Sequence, residues 1–205
     1  SSTNGLVFSP DGKTLASGSA SYAIILWDIA TRNPIGELPM GGTDWVNCLA
    51  FSPDGKTLAS GSSNNSVIMW NVDTRQRIGQ LTGHSGIISG VAFNSDGKTF
   101  AAGSKDKSIS LWDVSTMLNT NAAPRQPIGQ RLTGYAINGV AFSPDGKTLA
   151  SSSGDKSIIL WDVATRQLIE QFLTGHAVTS VDFNPIDNGK TLAVGGCGTK
   201  DEKGN

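Results

Sequence analysis

Short apolar runs separated by polar turns recur along the whole chain. One unit begins with the apolar run VNCLAF (Val46 to Phe51), reverses at SPDGK, and continues with TLASGS (Thr57 to Ser62). An unbroken apolar run follows, SVIMWN (Ser66 to Asn71), and then a more polar segment, RQRIGQL (Arg75 to Leu81). Asp-Gly turns between short runs indicate hairpins, and an unbroken apolar run indicates a strand that is covered on both faces. The pattern predicts units of four short strands, with the third strand in the interior.

The unit is copied with a nearly constant period. Phenylalanines that precede the turn are separated by 43, 42, 49 and 41 residues, and the tryptophans keep the same phase. The twelve residues from Phe8 to Ser19 are identical to those from Phe51 to Ser62. Such self-similarity is typical of repeat architectures. The sequence predicts one domain of four complete units, at about 3–41, 42–83, 84–133 and 134–174, and a partial fifth unit at 175–205.

The repeat resembles the WD repeat. Gly83-His84 opens one unit, and Trp-Asp closes three units, at residues 27–28, 112–113 and 161–162. The resemblance implies an all-β WD-repeat β-propeller with four complete four-stranded blades plus half a blade. The fifth unit, from Gly175-His176 to LAVGG, has no tryptophan-bearing strand. Because a sevenfold ring turns about 51° per blade, these units would subtend roughly 230°, so we expect an open arc or a segment of a larger propeller.

An open arc would leave apolar sheet uncovered at both ends. A four-stranded blade face measures about 18 Å by 19 Å, or roughly 350 Å². Three possibilities follow: covalent continuation in a longer array, end-to-end self-association, and closure as an unusually small propeller. The lack of an initial methionine favours the longer array.

The resemblance also implies a buried tetrad of His, Ser, Asp and Trp in each blade, and this chain keeps only remnants of it. Ala102 stands in the serine position of the third unit, and Tyr135 and Gly42 stand for histidine in the fourth and second. Because a buried hydrogen bond adds about 1 kcal/mol net, these losses predict a softer structure and not a different fold. The retained residues are Ser17 and Trp27, Ser60 and Trp70, His84, Asp106 and Trp112, Ser151, Asp155 and Trp161, and His176.

Two patterns suggest catalysis, and neither survives inspection. A nucleophilic triad needs a base within reach of its nucleophile, but the unit with His84 lacks the serine and the unit with Ser151 lacks the histidine. Gly-Lys-Thr recurs in every turn, yet a phosphate-binding loop needs a further upstream glycine and a following helix. We predict no catalytic residue, and a hydrolase is the least favoured class.

Composition argues against several other partners. The chain has 16 basic and 17 acidic residues, a net charge of −1 and no block of like charge, which argues against nucleic acid and acidic membranes. Two histidines 92 residues apart and two isolated cysteines predict no metal, no cofactor and free thiols. With no apolar stretch of about eighteen residues and no signal core at the start, we expect a cytoplasmic protein.

Binding specificity is expected on the loops that differ most between units, which enter the first strands or join the second strands to the third. We predict a protein contact centred near Trp45, since aromatic anchors among charges are typical of interfaces. The alternative is that Trp45 and Tyr135 only cover the blade below. The insertion from Met117 to Pro127 is a further candidate, or a disordered loop. The candidate rim residues are Tyr22, Trp45, Asn64, Ile87, Lys105, Lys107, Tyr135 and Lys156.

These observations predict a non-catalytic scaffold that binds another protein or a peptide, as WD-repeat proteins usually do. The phrases FSPDGKTLASGS and LWDVATRQ resemble the long WD arrays of some bacterial and fungal signalling proteins, which would make this a sensor segment. The alternative is a propeller that binds a small molecule or glycan. Such a propeller would place aromatic and carboxylate side chains in its axial funnel, whereas the strand entrances here offer mostly Val, Ile, Ala and Asn.

Overall fold

The structure is a computed structural model that describes residues 3–19, 23–40, 44–114 and 132–197. Within these ranges the secondary structure is eighteen β-strands. No helix of the described residues is long and apolar enough to cross a membrane. The strands are β1 (Thr3–Phe8), β2 (Thr14–Ser19), β3 (Ala23–Asp28), β4 (Pro34–Pro39), β5 (Val46–Phe51), β6 (Thr57–Ser62), β7 (Val67–Asn71), β8 (Arg77–Leu81), β9 (Ile88–Phe93), β10 (Thr99–Ser104), β11 (Ser108–Asp113), β12 (Leu132–Thr133), β13 (Ile137–Phe142), β14 (Thr148–Ser153), β15 (Ser157–Asp162), β16 (Leu168–Leu173), β17 (Ala177–Phe183) and β18 (Leu192–Cys197).

The strands form four antiparallel sheets of four and one sheet of two. Within each sheet the strands are adjacent in chain order, from β1–β4 to β13–β16, and the last sheet contains only β17 and β18. The prediction of four complete blades plus half a blade is therefore confirmed. The sheets are numbered here as blades one to four, and β17–β18 is called the half-blade.

The first hairpin of each blade is fixed by a turn that ends in Asp-Gly-Lys, preceded by Ser-Pro in blades one, two and four and by Asn-Ser in blade three. In blade two, the Asp54 carboxylate accepts hydrogen bonds from Ser52 Oγ at 2.6 Å and from the Lys56 amide at 3.0 Å. These bonds hold the pKa of Asp54 below its usual value. Gly55 has a φ of +72°, a conformation that residues with a Cβ adopt rarely. The turn thus needs this glycine and this aspartate, and the recurring Gly-Lys-Thr is part of a hairpin.

Blades stack face to face through apolar clusters. Between blades one and two, Leu26 and Leu38 pack with Leu58 and Trp70 of the next blade. Similar clusters join blade two to three, three to four, and four to the half-blade. Second-strand glycines permit this approach, since a Cβ at Gly61 would lie 2.5 Å from Ile88 of the following blade. Stacking of alternate side chains from both sheets supplies most of the buried apolar surface.

The stack of blades is an open arc. Among the described residues, no apolar cluster joins the half-blade to blade one. On blade one, Leu6 and Phe8 are exposed and Trp27 is only half-buried, whereas the equivalent Trp70 of blade two is buried against blade one. The described residues therefore do not close into a small propeller.

Candidate partner-binding rim

Two sets of loops meet at one rim of the arc. The Ser63 amide donates to the Trp45 carbonyl, and the Lys105 amide donates to the Ile87 carbonyl, each at 3.0 Å. Trp45 and Ile87 each precede a first strand, and Ser63 and Lys105 each follow a second strand. In blade four Ser153 Oγ similarly donates to the Ala136 carbonyl at 3.0 Å. The loops that enter first strands are thus tied to those that leave second strands, as expected if both sets form one surface.

Loops between the second and third strands share a rigid geometry. In blade three Asp106 Oδ1 accepts from the Ser108 amide and hydroxyl at 3.0 and 2.6 Å. Asn64 and Asp155 accept the same pair of bonds in blades two and four. The residue that follows this acceptor in each loop has a positive φ, 68° at Asn65, 72° at Lys107 and 76° at Lys156. This fixed backbone holds the exposed Lys107 and Lys156 at equivalent positions.

Apolar side chains stand half-exposed on this rim. Trp45 is 52% exposed, Ile87 43% and Tyr135 53%. Trp45 occupies the position of Ile87, directly before the first strand, and Tyr135 lies one residue earlier in its own blade. His84, by contrast, lies four residues before Ile88. Neither aromatic residue is buried as His84 is, since each is about half exposed, whereas the His84 side chain is 1% exposed.

Lys105 and Asn138 link three blades across the rim, a contact that the sequence did not reveal. Lys105 Nζ donates to Asn138 Oδ1, and Asn138 Nδ2 donates to the Val178 carbonyl of the half-blade at 2.6 Å. Burial lowers the pKa of Lys105. Asn138 sits at a one-residue bulge of β13, and Ser89 sits at the same bulge of β9, where its Oγ donates to the Ile137 carbonyl at 2.5 Å. In the sequence, these bulges coincide with a polar residue within the apolar run of the first strand.

Some predicted residues lie outside the described part of the chain. These are Tyr22, Gly42 and the insertion from Met117 to Pro127. Asn64 is described. Its Nδ2 donates to Asp44 Oδ2 at 2.6 Å, so the side chain forms hydrogen bonds that hold the loop in place.

Tetrad remnants are well formed where the serine is present. Trp27, Trp70 and Trp161 each donate from Nε1 to the serine of the paired second strand, at 2.8, 2.9 and 2.9 Å. In blade three Ala102 replaces that serine, and Trp112 Nε1 is buried without a hydrogen-bond partner in the described residues. The ring remains packed between blades, in contact with Phe100 and His84. One substitution has therefore removed a bond without removing the ring from the core.

His84, Asp106 and Ser108 form a buried network in blade three. His84 Nδ1 lies 2.9 Å from Asp106 Oδ2 and 3.2 Å from Ser108 Oγ. Burial alone would raise the pKa of Asp106, but hydrogen bonds from Ser108, the Ser85 amide and His84 outweigh it and lower the pKa to about 2. A triad places its serine and its aspartate on opposite ring nitrogens, whereas here both contact Nδ1. The geometry is that of a structural network.

His176 does not occupy a tetrad position, contrary to expectation. It is exposed and lies directly before β17, whereas His84 lies four residues before β9 and is almost fully buried. Three residues separate His84 from the start of β9, and none separates His176 from the start of β17. The shared Gly-His pair therefore marks the start of a unit, and loop length decides whether the histidine is buried.

The axis of the arc and the thiols offer little reactive chemistry. An open depression of about 370 Å³ is lined by residues of all five first strands, among them Phe93, Phe142 and Asp182. In the described residues, no group of three His, Cys, Asp or Glu side chains could hold a metal ion.

Cys48 is a free thiol whose pKa burial raises to about 12, so it stays protonated at neutral pH. The Cys197 side chain lies outside the described residues.

Comparison with known proteins identifies the repeat. The profile of the family described as "WD domain, G-beta repeat" matches residues 1–28, 32–71, 75–113 and 126–162. No curated protein sequence matches the chain significantly. A solved structure titled "Crystal Structure of Mitotic Checkpoint Complex" contains a similar chain, with a TM-score of 0.78 and 27% sequence identity over 89% of this chain. The present chain spans 54% of that chain, about half its length.

Proposed function

Because the chain belongs to the WD40 repeat family, we propose that it is a non-catalytic scaffold that binds another protein or a peptide through the partner-binding rim. This rim comprises Trp45, Ile87, Lys105, Lys107, Tyr135 and Lys156. The observation that carries the proposal is that three large apolar side chains of the rim are about half exposed, and that hydrogen bonds fix the backbone of two of them, Trp45 and Ile87. Exposed apolar groups on a rigid support are typical of binding surfaces, because little entropy is lost when they are covered.

The charges of the rim indicate what kind of segment it binds. Lys105, Lys107 and Lys156 are all exposed, and each lies in a loop that joins a second strand to a third strand. Asp106 and Asp155 lie in the same loops but are less exposed than the lysines, and each accepts the hydrogen bonds that shape its loop at Oδ1. A partner segment with an apolar anchor beside acidic residues would therefore complement the rim.

A cytoplasmic location and a sensor role within a signalling protein form part of the proposal. The free thiol of Cys48 supports a reducing compartment. The near-identity of the repeats supports the comparison with signalling arrays, since the first turn and second strand of blades one and two, Phe8 to Ser19 and Phe51 to Ser62, are identical.

Selection from a displayed peptide library tests the rim. The chain is immobilised, binding peptides are selected, and each is retested on Trp45→Ala and on Ile186→Ala. Ile186 is the matched control, because it is an exposed apolar residue in the turn between β17 and β18, far from the rim. We expect peptides that contain an aromatic or aliphatic anchor with Asp or Glu, and we expect Trp45→Ala alone to weaken them by about tenfold or more. Peptides that bind both variants equally would contradict the proposal.

A further inference from the structure

An open groove of about 520 Å³ lies between blades one and two, next to the first turns of both blades. Because neighbouring strands are antiparallel, these turns and the loops between third and fourth strands lie at the end of the sheets opposite to the partner-binding rim. The groove is therefore a separate surface, of a size that ligand sites commonly have. Its apolar lining consists of Pro10, Phe51, Pro53 and Val72.

The corresponding turns of blades three and four are tied together by side-chain hydrogen bonds. Asn94 Nδ2 donates to the Gly146 carbonyl at 3.0 Å, and Ser95 Oγ donates to the Pro144 carbonyl at 2.9 Å. A Cβ at Gly146 would lie 2.2 Å from Asn94 Oδ1, so the two turns are in close contact. Both bonds come from the Asn-Ser pair that blade three has in place of Ser-Pro.

Blade one cannot form these bonds to blade two. Ser9 Oγ donates within its own turn, to Asp11 Oδ1 at 2.6 Å, and the Pro10 side chain has no donor. A Cβ at Gly55 of blade two would lie 3.6 Å from Pro10 Cδ, which is an ordinary contact. In the described residues no hydrogen bond joins these two turns. The groove between blades one and two is thus left open by the proline.

Three carboxylates and one ammonium group line the groove, those of Asp11, Asp54, Asp73 and Lys56. Hydrogen bonds from serine hydroxyls and backbone amides hold the pKa of Asp11 and of Asp54 below the usual value, so both are charged at neutral pH. The turn bonds are accepted at Oδ1 of each carboxylate. Lys13 Nζ lies 4.0 Å from Asp11 Oδ2, but both side chains are exposed and such a pair is weak. The groove therefore favours a cationic ligand.

Asp73 distinguishes this groove from the other junctions between blades. It is exposed and lies in the loop between the third and fourth strands of blade two. The corresponding residue is Ala30 in blade one and Ala164 in blade four. An exposed loop residue that differs among nearly identical repeats is not needed for their packing and is better explained by binding.

We propose that this groove binds a segment of a second partner protein in which an arginine lies beside a large apolar side chain. The apolar side chain packs on Pro10, Phe51 and Pro53, and the guanidinium pairs with Asp73 and with Oδ2 of Asp54. Arginine suits the site better than lysine, because its planar guanidinium binds a carboxylate through two hydrogen bonds. The chain would then hold an acidic segment at the partner-binding rim and a basic segment at the opposite rim, and so bridge two proteins.

The probe is a fluorescein-labelled hexapeptide of alternating leucine and arginine, measured by fluorescence anisotropy at physiological ionic strength. Matched peptides carry lysine or glutamate in place of arginine. We expect saturable binding of one leucine–arginine peptide per chain, weaker binding of the lysine peptide, and none of the glutamate peptide. Hydrogen exchange should slow in the first turns of blades one and two and stay unchanged near Trp45.

Removing the distinguishing carboxylate tests the charge of the groove. Asp73→Ala introduces the residue that blades one and four have at this position, so the loop should fold normally. We expect it to weaken binding of the leucine–arginine peptide by about fivefold or more. Glu170→Ala is the matched control, because it removes an exposed carboxylate from β16 of blade four. It should bind as wild type does, and circular dichroism checks the folding of both variants.

A second variant closes the groove. Ser9→Asn combined with Pro10→Ser gives blade one the turn that blade three has, and the new side chains can donate to carbonyls of the blade-two turn as Asn94 and Ser95 do to those of blade four. We expect this variant to fold and to weaken binding of the leucine–arginine peptide by about tenfold or more. Trp45→Ala should bind the peptide normally, which separates this groove from the partner-binding rim.

Four results would overturn the proposal. The first two are failure of the leucine–arginine peptide to bind and equal binding of the glutamate peptide. The third is binding that survives both Asp73→Ala and the groove-closing variant. The fourth is a wild-type oligomer in light scattering that Asp73→Ala abolishes, because the occupant would then be a second copy of the chain.

Discussion

Blades one and three carry a tryptophan at the same position of the third strand, but the two side chains differ in burial and in hydrogen bonding. Trp27 of blade one is half-buried, and its Nε1 donates to Ser17 at 2.8 Å. Trp112 of blade three is buried between blades, and its Nε1 has no partner in the described residues. Blade one has the bond without the full packing, and blade three has the packing without the bond. Because both blades form, neither the tetrad bond nor full burial of the ring is required by itself, and the comparison asks which of the two contributes more to stability.

Truncating the two tryptophans tests this comparison with the largest expected effect. Trp112→Ala should reduce the free energy of unfolding by about 3 kcal/mol or more, because it leaves a large cavity between packed blades. Trp27→Ala should cost no more than about 1.5 kcal/mol, because its face is partly open to water. Urea denaturation measures both. A greater loss at Trp27 would assign the main stabilising role to the hydrogen bond.

The buried network of blade three should make stability depend on acid pH. Hydrogen bonds from Ser108, Ser85 and His84 lower the folded pKa of Asp106 to about 2, below its ordinary 3.8. The carboxylate thus contributes stability above pH 3.8 that is lost as the pH falls towards 2, by about 2 kcal/mol. Urea titrations at several pH values between 5 and 2 should show this loss, and Asp106→Asn should flatten it. An unchanged slope in that variant would place the acid sensitivity elsewhere.

Restoring the missing serine sharpens the comparison. Ala102→Ser should stabilise the protein by about 1 kcal/mol, since the hydroxyl would accept the Trp112 N–H as Ser60 accepts that of Trp70. Repeating the change in a Trp112→Phe background provides the control, because that ring has no donor. An equal gain in both backgrounds would show that the serine acts by some route other than this bond.

The repeat made the blades predictable, because a 43-residue period with Asp-Gly turns fixes where each first hairpin lies. The missing hydrogen bond of Trp112 could also be predicted, since Ala102 stands where the other complete blades have a serine. Loop length was misjudged: the Gly-His pair suggested a tetrad role for His176, but its strand begins one residue later. The partners of Asn138 could not be predicted from the sequence, because they depend on which residues of adjacent blades meet.

The central claim is that Trp45 serves a partner and not the blade beneath it, and the most direct measurement is the free energy of unfolding of Trp45→Ala. With Trp45 52% exposed and not in the tetrad histidine position, the account predicts a value within about 0.5 kcal/mol of wild type. A loss of about 2 kcal/mol or more would contradict it, because a change of that size would mean that the indole covers the core of its own blade.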